Sequence, residues 1–292
     1  MSIANSWRIS GDIYDDFNRP DTLCSCVNAA DPHCVAPGSH CSVMNIINKV
    51  APYVDRGQPG GWNDLDALEV GVGGMNDAEY VAHFSMWSAI KSPLIIGADL
   101  RHLTPQSLSI LNNPAVIAVN QDPLGRPALR VNHNLKVKKD KYGEGETQVW
   151  SGPLYPNDQL VILLNAADED LTMSTSLEEI FVHNGPGGSA PQTKQEWDVY
   201  DLWADRMSDE QAQSIIESKG LIRQDWYNAT EVSYKTGLEN GDERLMGHLT
   251  GRLLNQQYPE LKDIVPRHSV KMYRLRPKTA RSVQYQLYKT EL

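Results

Sequence analysis

Three aspartates in the first hundred residues each follow a short segment whose pattern predicts a β-strand. They are Asp12, Asp66 and Asp99. Arg8 precedes the first of them by four residues, and its planar guanidinium suits a fixed geometry toward carboxylates or hydroxyls. Catalytic groups of a parallel α/β barrel sit on the loops that follow its strands. Carboxyl groups in that position can exchange protons with a substrate or accept hydrogen bonds from it.

The densest cluster of acids, aromatics and turn residues is the stretch 59–74, PGGWNDLDALEVGVGG. Its glycine pairs permit turns that are closed to other residues. Apolar side chains alternate with Asp64, Asp66 and Glu69, a pattern that would aim carboxylates out of the end of a strand. A surface turn with scattered acids fits the spacing equally well, so the surrounding elements must decide.

Residues 2–122 alternate strand and helix three times. Strands are predicted over 2–9, within 59–72, a range that also includes the loop after the strand, and over Leu94–Gly97. The continuous apolar run of Leu94–Gly97 indicates a fully buried strand. Helices are predicted from apolar spacing and N-cap residues over Ser42–Val54, from Asn76 to Pro93, and from Thr104. This alternation is typical of a parallel sheet or barrel, although three units cannot close a barrel of eight.

After residue 122 the composition changes. Pro123, Gly125 and Pro127 interrupt the chain, and short strands separated by turn residues predict an antiparallel β-domain. The predicted strands are Gln148–Trp150, Gln159–Asn165, Glu196–Trp203, Glu231–Lys235 and Ser269–Leu275. One helix is predicted over Ser208–Lys219, and residues 237–266 are left irregular.

Composition and charge narrow the class of protein. Hydrophobic residues make up 40% of the chain and charged residues 22%, which indicates a globular fold. The net charge of -10 argues against nucleic acid or an anionic membrane surface as a partner, because both attract basic patches. The sequence contains no apolar run long enough to span a membrane.

The four cysteines lie close together, at Cys24, Cys26, Cys34 and Cys41. In a loop rich in turn residues they predict two local disulfides. A zinc site is the alternative, since His33 and His40 share the loop, but the C-x2-C spacing is missing. We predict the nested pairing, Cys24 with Cys41 and Cys26 with Cys34, among three possible connectivities.

The Asn228-Ala229-Thr230 sequon also indicates an oxidising, extracellular history, with Asn228 as the glycosylation site. The first residues, MSIANSWRISGDIYDD, carry neither the basic nor the apolar region of a secretory signal peptide.

Several joined motifs resemble one known family. They are GGWNDLDALEVG, GGMNDAEYVAHFSMWSAIKSPLIIGADLRHL, NPAVIAVNQDPLGRPALRV and, more loosely, WDVYDLWAD. These are similar to glycoside hydrolase family 27, in particular to the secreted fungal α-galactosidases. The resemblance implies α/β plus all-β architecture: the C-terminal part of a (β/α)8 TIM barrel, about three units over residues 1–122, followed by an antiparallel β-sandwich over 123–292. It also implies secretion.

The resemblance also assigns roles to individual residues. SWRISGD places the acid/base aspartate on Asp12 and a sugar-contacting arginine on Arg8, and a second sugar-facing acid falls on Asp66. Trp7 and Trp62 are candidate walls for the sugar. A structural ion pair is the alternative for Arg8, and core packing is the alternative for each tryptophan.

One position departs from the family pattern. A methionine usually follows the second sugar-facing acid, and here that position is Ala67, which leaves the shape of the pocket wall open. The other acids are predicted to be structural (Asp64 and Asp99) or solvated (Asp15, Asp16 and Asp21).

The implied activity is hydrolysis of terminal α-D-galactosyl residues from galactose-containing oligosaccharides or polysaccharides, with retention and without cofactor or metal. Retention requires a nucleophilic carboxyl roughly 5 Å from the acid, and the family's lysine-x-aspartate-x-cysteine nucleophile motif is absent from this sequence. We therefore interpret the chain as an N-terminally truncated member. The alternatives are an inactive fragment, a carbohydrate-binding remnant and an α-N-acetylgalactosaminidase.

Overall fold

The computed structural model describes residues 3–19, 39–181, 190–219, 226–254 and 259–278. The described strands are β1 (Ser6–Arg8), β2 (Asp12–Ile13), β3 (Ser39–Cys41), β4 (Trp62–Asp64), β5 (Leu129–Asn134), β6 (Thr147–Leu154), β7 (Asp158–Asn165), β8 (Leu171–Ser176), β9 (Trp197–Asp201), β10 (His248–Leu253), β11 (Glu260–Val265) and β12 (Ser269–Pro277). The described α-helices are α1 (Val43–Val50), α2 (Asp77–Ile90), α3 (Pro105–Leu111), α4 (Pro114–Asn120), α5 (Leu177–Phe181), α6 (Asp209–Glu217), α7 (Tyr234–Asn240) and α8 (Glu243–Met246).

Within the described ranges, the first part of the chain contains two pairs of parallel strands. β1 pairs with β4, so that Trp7 lies opposite Asn63 and Arg8 lies opposite Asp64. β2 pairs in parallel with β3. Because neighbouring parallel strands end at the same edge, the residues that follow β1 and β4 are brought together there.

The fully buried strand predicted over Leu94–Gly97 is wrong. A single parallel bridge joins Leu68 to Ile96, and Ile95 and Ile96 are 59% and 39% exposed. A continuous apolar run becomes a buried strand only when both of its faces are covered. Among the described elements, none covers Ile95.

The helix starts follow local capping signals. Asn76 caps α2, and the Glu79 carboxylate accepts a hydrogen bond from the Asn76 N–H. Thr104 caps α3, with Pro105 at the first helical position, and Ser208 caps α6. These three predicted starts are confirmed, because a cap depends only on residues within one turn.

The second part is built on one antiparallel sheet, in the order β10, β9, β12, β7, β6, β5. Successive residues of β7 face opposite sides of this sheet. Ile162 and Leu164 pack in the core that contains α2, whereas Val161 and Leu163 pack in a second core with residues of the antiparallel β8–β11 pair. The sheet is therefore covered on both faces, which explains why every residue of β7 is buried.

Two predictions for this part are wrong. Residues Glu231–Lys235 were predicted to form a strand, but Ser233 caps α7, which includes Tyr234 and Lys235. The irregular region predicted over 237–266 contains β10 and β11. β10 is mostly exposed, so it lacks the apolar alternation by which a strand is recognised in a sequence. β11 buries only Leu261 and Val265, which is a short signal for a strand.

Candidate active site

Arg8 joins two aspartates at the edge where the parallel strands end. Its Nη2 lies 2.8 Å from Oδ2 of Asp66, and the same nitrogen donates a hydrogen bond to Oδ1 of Asp12. The three residues belong to β1, to β2 and to the segment just after β4. The structure therefore brings together Arg8, Asp12 and Asp66, as the sequence predicted.

Asp66 is held by the backbone around it. Its Oδ2 accepts a hydrogen bond from the Ile13 N–H at 2.9 Å, and its Oδ1 accepts one from the Ala67 N–H at 2.9 Å. Its own N–H donates to Oδ1 of Asp64 at 2.9 Å, which confirms the structural role predicted for Asp64. The φ angle of Asp66 is 74°, a left-handed conformation that is costly for a residue with a side chain and clusters at functional sites.

Asp12 is held by fewer contacts. Its side chain is 70% exposed, against 22% for Asp66. Within the described residues, its carboxylate accepts a hydrogen bond from Arg8. The two carboxylates thus differ in kind. Asp66 is fixed by several donors, whereas the Asp12 carboxylate is largely exposed to solvent.

Comparison with known proteins places this arrangement in a family. Residues 2–122 match the family model "Alpha galactosidase A", and residues 144–222 match "Alpha galactosidase C-terminal beta sandwich domain". The chain belongs to the family of these two models, glycoside hydrolase family 27. The domain boundary at residues 122 and 123 stays a prediction.

Relatives of this family cover almost the whole chain. Alpha-galactosidase 5 of Saccharomyces cerevisiae is 50% identical over 275 residues, which are 94% of this chain and 57% of the relative. The α-galactosidase of Saccharomyces paradoxus is 48% identical over 274 residues, with the same two coverages. The chain thus spans 57% of the length of these curated relatives.

Solved structures confirm the fold class predicted for this α-galactosidase family member. The structure of the S. cerevisiae α-galactosidase MEL1 matches with a TM-score of 0.87 and 47% identity, over 94% of this chain and 60% of that one. The S. cerevisiae enzyme with raffinose matches with a TM-score of 0.86 at the same identity and coverages. The architecture is that of barrel units followed by an antiparallel β-sandwich.

The two candidate tryptophan walls lie elsewhere. The indole N–H of Trp7 donates to Oδ1 of Asn63 at 2.9 Å, and Asn63 is fully buried, so Trp7 faces the side of the strand opposite to Arg8. Trp62 lies at the start of β4, where its ring packs against Gly125. Asp66 lies four residues further along the chain, beyond the end of β4. Both tryptophans are half-buried, and their contact with a sugar stays a prediction.

Two further acids of the site region, Asp15 and Glu69, have surroundings that the sequence did not predict. Asp15 was expected to be solvated, but its carboxylate accepts hydrogen bonds from the Tyr80 hydroxyl, at 3.0 Å to Oδ1, and from the Gly74 N–H. Burial raises the pKa of Asp15 above its ordinary value. Burial likewise raises the pKa of Glu69 to about 7, and the neighbouring charges of Asp15 and Asp66 add to this effect. The sequence did not indicate these surroundings, because the contacts join distant segments.

The structure describes the surroundings of Asp99 and of Cys41, but not those of the other cysteines. Asp99 caps a short 3-10 helix and pairs with Arg101, which confirms its structural role. Cys41 is fully buried, and the other three cysteines and Asp21 lie outside the described residues, so both disulfide pairings stay predictions.

Within the described ranges, no group of His, Cys, Asp or Glu is arranged to hold a metal ion. No described helix has the length and apolar character to cross a bilayer.

Proposed function

We propose that this chain supplies the acid/base aspartate and part of the sugar site for the retaining hydrolysis of terminal α-D-galactosyl residues from α-galactosides. Relatives of about 50% identity are named α-galactosidases. The observation that carries the proposal is the arginine that contacts both Asp12 and Asp66 at the ends of parallel strands. The solved structure of the S. cerevisiae enzyme with raffinose makes galactose-containing oligosaccharides the substrate class proposed here.

The two aspartates take different roles in this proposal. Asp12, exposed and lightly held, protonates the departing glycosidic oxygen and then accepts a proton from the incoming water. Asp66, fixed by backbone donors, accepts hydrogen bonds from sugar hydroxyls. Arg8 orients both carboxylates, and its guanidinium can also bind hydroxyl groups. We keep the prediction that the nucleophilic aspartate is not among the residues of this chain.

Binding of galactose to residues 1–292 tests the sugar-binding part of the proposal. We expect calorimetry to detect galactose binding, and we expect Arg8→Ala to weaken it at least about tenfold, because the variant releases the two carboxylates that Arg8 holds. Arg101→Ala is the matched control, since Arg101 also forms an exposed ion pair with an aspartate. The proposal fails if the wild-type chain does not bind galactose, or if the two variants bind it equally well.

Nitrophenol release from 4-nitrophenyl α-galactoside tests the predicted lack of a nucleophile. We expect no hydrolysis above the uncatalysed rate from residues 1–292. A measurable rate that Asp12→Asn abolishes would show that the chain does contain a nucleophile, and that prediction would be wrong.

Secretion and glycosylation are part of the same proposal. Asn228 is exposed, and its side-chain oxygen accepts a hydrogen bond from the Thr230 hydroxyl at 2.6 Å. Both polar residues of the sequon therefore lie together on an accessible turn. Disulfides among the four cysteines would suit the same oxidising compartment.

A further inference from the structure

The segment that carries Asp66, residues 65–69, has every backbone N–H hydrogen-bonded. The acceptors, in order from residue 65, are Ser92 Oγ, Asp64 Oδ1, Asp66 Oδ1, the Ile95 carbonyl and His83 Nε2. Only one of these five bonds runs to another backbone group. The segment is therefore fixed by side chains rather than by a strand ladder.

Helix α2 and the turn after it supply two of these four side-chain acceptors and one further donor. Nε2 of His83 accepts the Glu69 N–H at 3.0 Å, and the indole N–H of Trp87 donates to the Asp66 carbonyl at 2.9 Å. Ser92 accepts the Leu65 N–H at 3.0 Å. These hydrogen bonds fix the segment at both of its ends and at the Asp66 carbonyl.

His83 and Trp87 are suited to hold a fixed geometry. Both are fully buried, and their rings contact edge to face with centroids 4.1 Å apart. Burial lowers the pKa of His83 to about 3, so the imidazole is neutral and Nε2 keeps its lone pair for the Glu69 N–H. Its other ring nitrogen, Nδ1, has no hydrogen-bond partner among the described residues.

The left-handed backbone of Asp66 needs such support. A φ of 74° is uncommon for a residue with a side chain, although aspartate adopts it more often than most, and the contacts around the segment stabilise it here. This conformation directs the Asp66 carboxylate toward Arg8, 2.8 Å away. We expect a change in this φ angle to move the carboxylate relative to Arg8.

We propose that His83 and Trp87 are positioning residues, which hold the 65–69 segment so that Asp66 meets Arg8 and the sugar. The expected effect on galactose binding rests on the proposed function. The rigidity of residues 65–69 does not depend on that function and can be measured separately. Neither residue touches substrate in this proposal, and both act through the Asp66 backbone.

Two substitutions on the full chain test the proposal. Trp87→Phe keeps the aromatic ring and removes the N–H, and His83→Leu removes the acceptor. We expect each variant to speed deuterium exchange of the peptide containing residues 65–69 and to weaken galactose binding by about tenfold, the effect of one lost buried hydrogen bond. His83→Gln, which restores an acceptor, is expected to recover most of both losses.

Trp203→Phe is the matched control, because Trp203 also donates its indole N–H to α2, to Ser85 at 2.9 Å. It should lower the melting temperature about as much as Trp87→Phe but leave exchange of residues 65–69 and galactose binding unchanged. Unchanged exchange in Trp87→Phe and His83→Leu would overturn the proposal. Faster exchange with unaltered binding would also overturn it, because the role would then be structural only. A wild-type chain that does not bind galactose would refute the proposed function, and exchange would still decide whether the segment is held as proposed.

Discussion

At the scale of single residues, Asp66 and Glu69 show how two nearby carboxyl groups acquire different properties. Asp66 accepts hydrogen bonds from two backbone N–H groups and forms an ion pair with Arg8. Glu69 is partly buried close to the charges of Asp15 and Asp66, which disfavour its charged form. Their backbones are three residues apart, so the difference comes from the side chains and N–H groups around each carboxyl.

The raised pKa of Glu69 predicts a pH dependence of stability. Its folded-state pKa of about 7 exceeds the ordinary 4.5, so the folded chain retains a proton that the unfolded chain releases. The stability that this proton contributes is fully present below about pH 4.5 and is lost as the pH rises through about 7. Glu69→Gln should therefore be more stable than the wild type at about pH 8, by about 1 kcal/mol after allowance for solvent screening.

Urea unfolding between about pH 4 and pH 8 measures this difference. Glu231→Gln is the control, because Glu231 is exposed in the turn before α7. If Glu69→Gln and Glu231→Gln change stability in the same way with pH, Glu69 does not retain a proton in the folded chain.

At the scale of elements, α2 connects the two parts of the molecule through its first turn. Glu79 closes the capping box on Asn76, and its other carboxylate oxygen lies 2.8 Å from Nδ1 of His268, which precedes β12. His268 is buried, and its Nε2 has no hydrogen-bond partner in the described ranges. Glu79 thus supports both a helix start and the adjoining sheet.

Glu79→Ala should destabilise the protein more than an ordinary loss of a capping residue. Gln211→Ala is the matched control, because Gln211 closes the equivalent capping box on α6. We expect about 0.5 kcal/mol for Gln211→Ala and about 2 kcal/mol for Glu79→Ala, which also leaves the buried His268 without its partner. Chemical denaturation of the two variants measures the difference. Equal losses would show that the contact between Glu79 and His268 contributes nothing to stability.

These elements also show what a sequence reveals. The starts of α2, α3 and α6 were predictable because capping is local. The strand expected at Leu94–Gly97 was wrong, because burial depends on what packs over a segment, and an apolar run does not contain that information. The motif matches located Arg8, Asp12 and Asp66 in the site. They did not indicate that His83 contacts the Asp66 segment, since that contact depends on how α2 packs against it.

At the scale of the whole molecule, the two predicted domains share one hydrophobic core. Phe84 and Trp87 of α2 belong to the same cluster as Ile162 of β7 and Met272 of β12. Trp203, which follows β9, contacts Phe84 edge to face. The boundary predicted at residue 122 therefore separates two patterns of secondary structure, but it does not separate two cores.

A shared core predicts that both parts unfold together. Ile162→Ala should remove about 2–4 kcal/mol of stability, since it leaves a cavity between β7 and the helical layer. Native-state deuterium exchange should then show equal losses of protection in α2 and in β6, on opposite sides of the predicted boundary. The wild type should show a single calorimetric transition. Two results would contradict this prediction: a loss of protection in β6 without one in α2, or unfolding of the wild type in two separate steps. Either result would show that the two parts unfold independently.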